Sequence, residues 1–223
     1  MGEELAEQAA GVGALAEPTR RALYLYVAAQ PDAVGREQAA DSVGVPAHTA
    51  KFHLDRLVHE GLLDVEYRRL TGRSGPGAGR PAKLYRRSDR EFSVSLPARR
   101  YDLAGEILAA AVHRSMRDGT PVAEAVREVA RETGRQMAGE VATGGDDLER
   151  ASRVLARHGY EPRASTREIC LANCPFDRLA TQHAELVCGM NLDLIGGVVG
   201  GLGAHLTPEL APRPGFCCVR VRG

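Results

Sequence analysis

The sequence predicts an α+β protein, and three observations carry that reading. Apolar residues recur at helical spacing through the first 60 residues and again from 101 to 137. A basic stretch from Asp64 to Arg87 alternates around a glycine- and proline-rich tip. All five cysteines lie beyond position 169, in a segment that mixes strand and helix patterns.

The elements follow in order. Pro18, a residue favoured at the first helical position, opens a helix through TRRALYLYVAAQ that stops at Pro31, with Leu23, Tyr26 and Val27 toward the core. A short helix, GREQAADSV, ends at Gly44. A third begins after Val45-Pro46 and continues to Gly61, with Ala47, Ala50, Leu54, Leu57 and Val58 as its buried stripe. Asp64–Arg69 and Lys83–Arg87 then read as two strands flanking RLTGRSGPGAGRPA. Three helices followed by a basic β-hairpin describe a winged helix-turn-helix.

Beyond Pro97, YDLAGEILAAAVHRSMRDG reads as a helix, and Pro121 opens another with Val122, Val126, Val129, Thr133 and Met137 on one face. These two are expected to serve dimerisation, because helix-turn-helix proteins read paired half-sites. GGDD at 144–147 is the linker candidate. After it come a helix, LERASRVLARHG, a strand-like EPRASTREICLA, two helical stretches and a closing strand, FCCVRVR, together a small α+β domain. The expected organisation is a DNA-binding domain over 1–97, a helical dimerisation region over 98–144 and a cysteine-containing sensor domain over 145–223.

The formal net charge is zero, so attraction for nucleic acid has to come from a local patch. Between Asp64 and Arg100 there are ten cations against four acids, a net of +6. Arg68, Arg69, Arg73, Arg80 and Lys83 are the wing cations placed to neutralise phosphates, with binding that weakens as salt rises. On the third helix, His48, Thr49, Lys51, Phe52, His53 and Arg56 stand opposite the apolar stripe and are expected to face a major groove. Phe52 either contacts a thymine methyl or completes the core. His48 and His53, five apart, lie on different helical faces, which excludes a metal site on that helix.

The N-terminus has the pattern of neither a secretory signal nor an anchor, and the longest apolar stretch, from Leu192 to Leu202, is interrupted by Asp193 and falls short of a membrane span. A cytoplasmic protein with no membrane partner is expected. Five thiols, an odd number, in a reducing compartment point to metal or redox chemistry rather than a disulfide framework. The metal candidates are Cys174, in Asn173-Cys174-Pro175, Cys188, and the pair Cys217 and Cys218. Adjacent strand residues point to opposite faces, so one of the pair is expected to ligate unless the chain bends there, and the fourth position stays open. His183 is a weaker candidate, and Cys170 faces the other way on its strand. With no paired C-x-x-C knuckles, an iron-sulfur cluster is favoured over zinc. GGVVGGLG, at 196–203, lacks the lysine and hydroxyl of a phosphate loop and reads as a site of close helix packing or a turn. No nucleotide motif, nucleophile constellation or carboxylate pair points to an enzyme.

VGVPAHTAKFHLDRLVHEGLL followed by GRPAKLY resembles the winged-helix domain of ArsR-like and SufR-type bacterial regulators. NCPFDRLATQHAELVCGMNLDL and PGFCCVRV resemble the cluster-binding region of the SufR type. The resemblance covers both ends of the chain. It implies a homodimer on double-stranded operator DNA and an iron-sulfur cluster, 4Fe-4S rather than 2Fe-2S, held through Cys174, Cys188 and one of the closing pair. It further implies that the cluster-loaded form is a repressor.

Overall fold

Sixteen elements are laid out in the computed structural model, which describes residues 2–69, 81–139 and 144–223. They divide into two units, Met1–Val94 and Ser95–Gly223.

The first unit contains α1 (Gly2–Ala14), α2 (Pro18–Ala28), β1 (Val34–Gly35), α3 (Arg36–Val43), α4 (Ala47–His59), β2 (Leu63–Arg68) and β3 (Ala82–Arg87). Glu17 caps α2 by accepting from Thr19 N at 3.0 Å and Arg20 N at 2.5 Å, and Pro18 costs nothing where no intrahelical partner exists. Gly44 ends α3 at φ 74°, a left-handed conformation in which glycine carries no side-chain penalty. Pro46 then starts α4. Leu23, Val27, Leu54, Leu57 and Tyr85 form the buried centre. The three strands are antiparallel in the order β1-β3-β2, with Val65 opposite Tyr85 and Tyr67 opposite Lys83.

Two elements here were not expected from the sequence. The pair Val34–Gly35 adds a short strand beside β3, and α1 precedes the helix at Pro18. The support for α1 comes from far along the chain. Phe92 lies against Gly11, where a Cβ would come within 2.2 Å of its ring, Arg90 pairs with Glu7 at 2.6 Å and Ser93 N donates to Gln8 at 2.9 Å.

The second unit contains α5 (Tyr101–Asp118), α6 (Val122–Gly139), α7 (Asp147–Arg157), β4 (Pro162–Ala164), β5 (Glu168–Leu171), α8 (Asp177–Gln182), α9 (Ala184–Gly201), β6 (Thr207–Leu210) and β7 (Val219–Arg222). Its antiparallel sheet has the order β4-β5-β7-β6. Asp146 and Glu149 form a reciprocal capping box at the start of α7. The segment expected as one strand is a hairpin, β4 and β5, closed by Ser165 N donating to Glu168 O at 2.8 Å. The edge strand β6 was not expected; Pro208 within it is tolerated because an edge leaves one row of donors unused.

Helices α5 and α6, expected as a region of their own over 98–144, fall within the second unit and pack in its core. Ile107 and Ala111 of α5 and Val126 and Ala130 of α6 share one core with Leu194 and Val198 of α9. Glycines make this possible. A Cβ on Gly134 would sit 2.0 Å from Leu194 O, and one on Gly197 would sit 2.2 Å from Arg131 O, so α6 and α9 meet backbone to backbone. The run GGVVGGLG is therefore a helix-packing device. Among the described residues, α9 is the one helix long and apolar enough to cross a membrane, and here it is the central core helix of its unit.

Candidate functional site

Helix α4 presents its outward face with His48 and Lys51 exposed, Thr49 half-buried and Phe52 exposed to 66 %. Phe52 is thus no part of the core, and the second of its two readings is corrected. His53 departs from expectation as well. Its side chain is only 12 % exposed, turned onto α2, where Arg20 Nε donates to its Nδ1 at 3.4 Å. Arg56 is exposed and pairs with Glu60, one turn on.

Lys51 and Lys83 do not stand free. Each donates to Asp55, at 3.1 Å and 2.5 Å, and Tyr85 adds its hydroxyl at 3.0 Å. Burial pushes the Asp55 carboxyl up, but the hydrogen bonds from Lys83, Lys51 and Tyr85 outweigh it and hold it below its ordinary value. On β2, Arg68 pairs with Glu66 at 2.5 Å and Arg69 is exposed. Arg73 and Arg80 lie outside the described residues. Sequence reasoning missed Tyr67, 66 % exposed on the wing, and missed Asp55 as the residue that ties the helix to the hairpin.

The second site is built by the turn before α8, the first turns of α9 and the segment before β7. Cys174, Cys188, Cys217 and Cys218 all line one open cleft of about 350 Å³, beside Asp177 and Arg213. The Asn173-Cys174-Pro175 turn is held by a set of bonds that includes Arg99 Nη1 donating to Asn173 Oδ1 and Arg100 N donating to Pro175 O at 3.1 Å. Asn173 Nδ2 donates to Gly159 O at 2.6 Å and Ala98 O at 2.9 Å, and Arg99 Nη1 donates to Cys174 O at 3.2 Å. Cys217 N donates to Leu171 O and Ala211 N to Cys218 O, each at 2.8 Å.

Cys217 and Cys218 therefore precede β7, and the chain bends at Cys218. The expectation that strand alternation would separate them is corrected: both sulfurs come near Asn191 Nδ2, at 3.2 Å and 4.0 Å. Hydrogen bonding with Cys174 and then with Cys218 lowers the Cys217 pKa in spite of burial. The same bonds, together with burial, push the Cys174 and Cys218 thiols up. Among the described residues, no group of three or more His, Cys, Asp or Glu side chains is arranged to hold a metal ion.

Cys170 stands apart, with Glu168 Oε1 at 3.7 Å and Arg213 Nη2 at 3.8 Å from its sulfur. His183 is exposed and does not line the cleft. Asn191 and Tyr160 were missed by sequence reasoning. A lone carboxamide among the apolar residues of α9 was the available signal for the first of them.

Residues 15–66 match the family model of a helix-turn-helix domain. No curated protein and no solved structure matches the chain. The matched segment runs from the end of α1 through α4 into β2, the elements that carry the outward face described above. The chain is a DNA-binding transcription regulator with an N-terminal winged helix-turn-helix domain.

Proposed function

We propose that this regulator is a homodimeric repressor whose operator affinity is governed by an iron-sulfur cluster, 4Fe-4S, held by Cys174, Cys188, Cys217 and Cys218. One observation carries the reading: four thiols from three separate segments line a single cleft in a chain with no cysteine before position 170. An all-thiol donor set fits a cluster in kind and number, since soft thiolates are the usual ligands of iron-sulfur centres. When bound, the cluster supplies a group that responds to oxidants, nitric oxide or iron supply. The chain's own part is to hold the three ligand segments in register, through Asn173 and Arg99 at the first and through the Leu171 and Ala211 backbone bonds at the last.

Control of DNA binding requires that the centre have unequal affinity for the two states of the protein, because an effector bound equally to both shifts nothing. The homodimer follows from the paired half-sites that such domains read. Anaerobic reconstitution followed by iron and sulfide analysis and operator titration tests the proposal, with Cys174→Ser and Cys188→Ser alongside. Bound iron and sulfide in the wild type, lost in both variants together with tight operator binding, is the expected result. A colourless wild type sinks it.

The gathering of four thiols on one cleft also suits a second reading, in which a zinc ion or thiol oxidation alone carries the signal. Equimolar zinc without sulfide, or operator release on oxidation of metal-free protein, would establish that version.

A further inference from the structure

Asn191 stands in the middle of α9 with its side chain fully buried, on a helix otherwise packed through Val187, Met190, Leu194 and Val198. A carboxamide in such a place brings two N–H donors and an acceptor oxygen out of water, and each needs a partner. Both ends are used. Tyr160, also buried, donates its hydroxyl to Asn191 Oδ1, and Asn191 Nδ2 is directed at Cys217 Sγ, 3.2 Å away, with Cys218 Sγ at 4.0 Å.

The partner on the sulfur side is the informative one. A neutral thiol is a weak acceptor, and leucine would fill the same volume with no polar atom to satisfy. The amide becomes favourable when the sulfur is rich in electrons, as a metal-bound thiolate is. Tyr160 fixes which way the amide faces: with Oδ1 taken by the hydroxyl, the N–H donors are left for the sulfurs. The reversed amide would set oxygen lone pairs against sulfur lone pairs.

Resting on the reading that Cys217 is a cluster ligand, we propose that Asn191 is the positioning residue that tunes the metal centre. Its N–H bond draws electron density from the Cys217 thiolate, so it governs how readily the centre is reduced and how firmly iron is held, and Tyr160 keeps the amide oriented. Hydrogen bonds to ligand sulfurs are among the determinants of cluster potential, and outer-shell partners orient the ligands they touch.

The test uses the full chain, reconstituted anaerobically, as wild type, Asn191→Leu and Tyr160→Phe. Iron and sulfide content, visible spectrum, reduction potential and the rate of iron loss to a chelator are measured. Asn191→Leu is expected to shift the sulfur-to-iron absorption, move the potential to more negative values and hold iron about 10- to 100-fold less firmly. Tyr160→Phe shifts all three in the same sense by less, and because it removes only a hydroxyl it decides the matter if Asn191→Leu does not fold. A coloured wild type with both variants unchanged in potential, spectrum and iron retention overturns the role of Asn191 and leaves the cluster standing. A wild type that takes up neither iron nor sulfide overturns the cluster, and this proposal with it.

Discussion

Both lysines of the chain, Lys51 on α4 and Lys83 on β3, donate to the single carboxylate of Asp55, at 3.1 Å and 2.5 Å. Helix α4 and the wing beside it are thus tied through one residue, and the Asp55 carboxylate offsets the charge both ammonium groups could offer a phosphate. Removing the charge with Asp55→Asn releases both. Affinity for non-specific duplex at low salt should rise, and the slope of log K against log salt should steepen by up to about 1.8 if both lysines then reach phosphates. Filter binding or fluorescence anisotropy across a salt series reads this directly. An unchanged slope would mean that the two lysines make the same number of phosphate contacts with or without Asp55.

The same carboxylate predicts an acid sensitivity of known sign. Its folded pKa is lowered, so its contribution to stability is complete above the unfolded value of about 3.9 and is lost as pH falls through the lower folded value. Wild type should therefore exceed Asp55→Asn in stability by a constant margin from neutral pH down to about pH 5, with the margin closing below about pH 4. Denaturant unfolding of the two proteins at a series of pH values checks it. A margin that grew on acidification would contradict the assignment.

Phe52 separates recognition from folding. At 66 % exposure it contributes little to the core, so Phe52→Ala should change stability by no more than about 0.5 kcal/mol. If its ring meets a thymine methyl, operator affinity falls by about 1–3 kcal/mol while binding to random duplex hardly moves. Leu54→Ala is the contrast. Leu54 is fully buried, and its truncation should cost about 2–5 kcal/mol of stability.

The helix that carries Phe52 was legible because its burial follows from local order. Ala50, Leu54 and Leu57 recur at helical spacing, with Pro46 before them and Gly61, at φ 75°, after. What failed was whatever a distant segment decides. His53 sits at an outward position by periodicity, yet Arg20, 33 residues away, draws it onto α2. The helix α1 leans on Phe92, and nothing within residues 2–14 announces that. At the cleft, the four cysteines were legible as a group from their clustering at one end of the chain. Their mutual placement was not. The bend at Cys218 is fixed by backbone bonds to Leu171 and Ala211, which an alternating pattern through FCCVRVR conceals. Likewise, 98–144 shows two good amphipathic helices, but periodicity does not say that the buried faces belong with α9.

Glycine positions on α9 make a matched pair. Gly197 meets Arg131 O closely enough that a Cβ would lie 2.2 Å away, whereas Gly189 has nothing within 4 Å. Gly197→Ala should destabilise by about 1–3 kcal/mol through forced separation of α6 and α9. Gly189→Ala should stabilise by up to about 1 kcal/mol, since alanine loses less backbone entropy in a helix. Thermal unfolding of metal-free protein resolves the two signs, and equal effects would argue against the backbone contact.

The remaining cysteine supplies the sharpest control on the cleft. Cys170 lies two residues from Glu168, its nearest oxygen acceptor at 3.7 Å, and Arg213 approaches its sulfur at 3.8 Å; it does not line the cleft shared by the other four thiols. Cys170→Ser should therefore bind the same iron and sulfide per chain as the wild type and give the same visible spectrum. Cys217→Ser should lose the centre, because its sulfur belongs to the set that lines the cleft with Cys174, Cys188 and Cys218. Were Cys170→Ser to lose iron as completely as Cys217→Ser, the ligand set would have to extend across β5, and the cleft could not be the whole site.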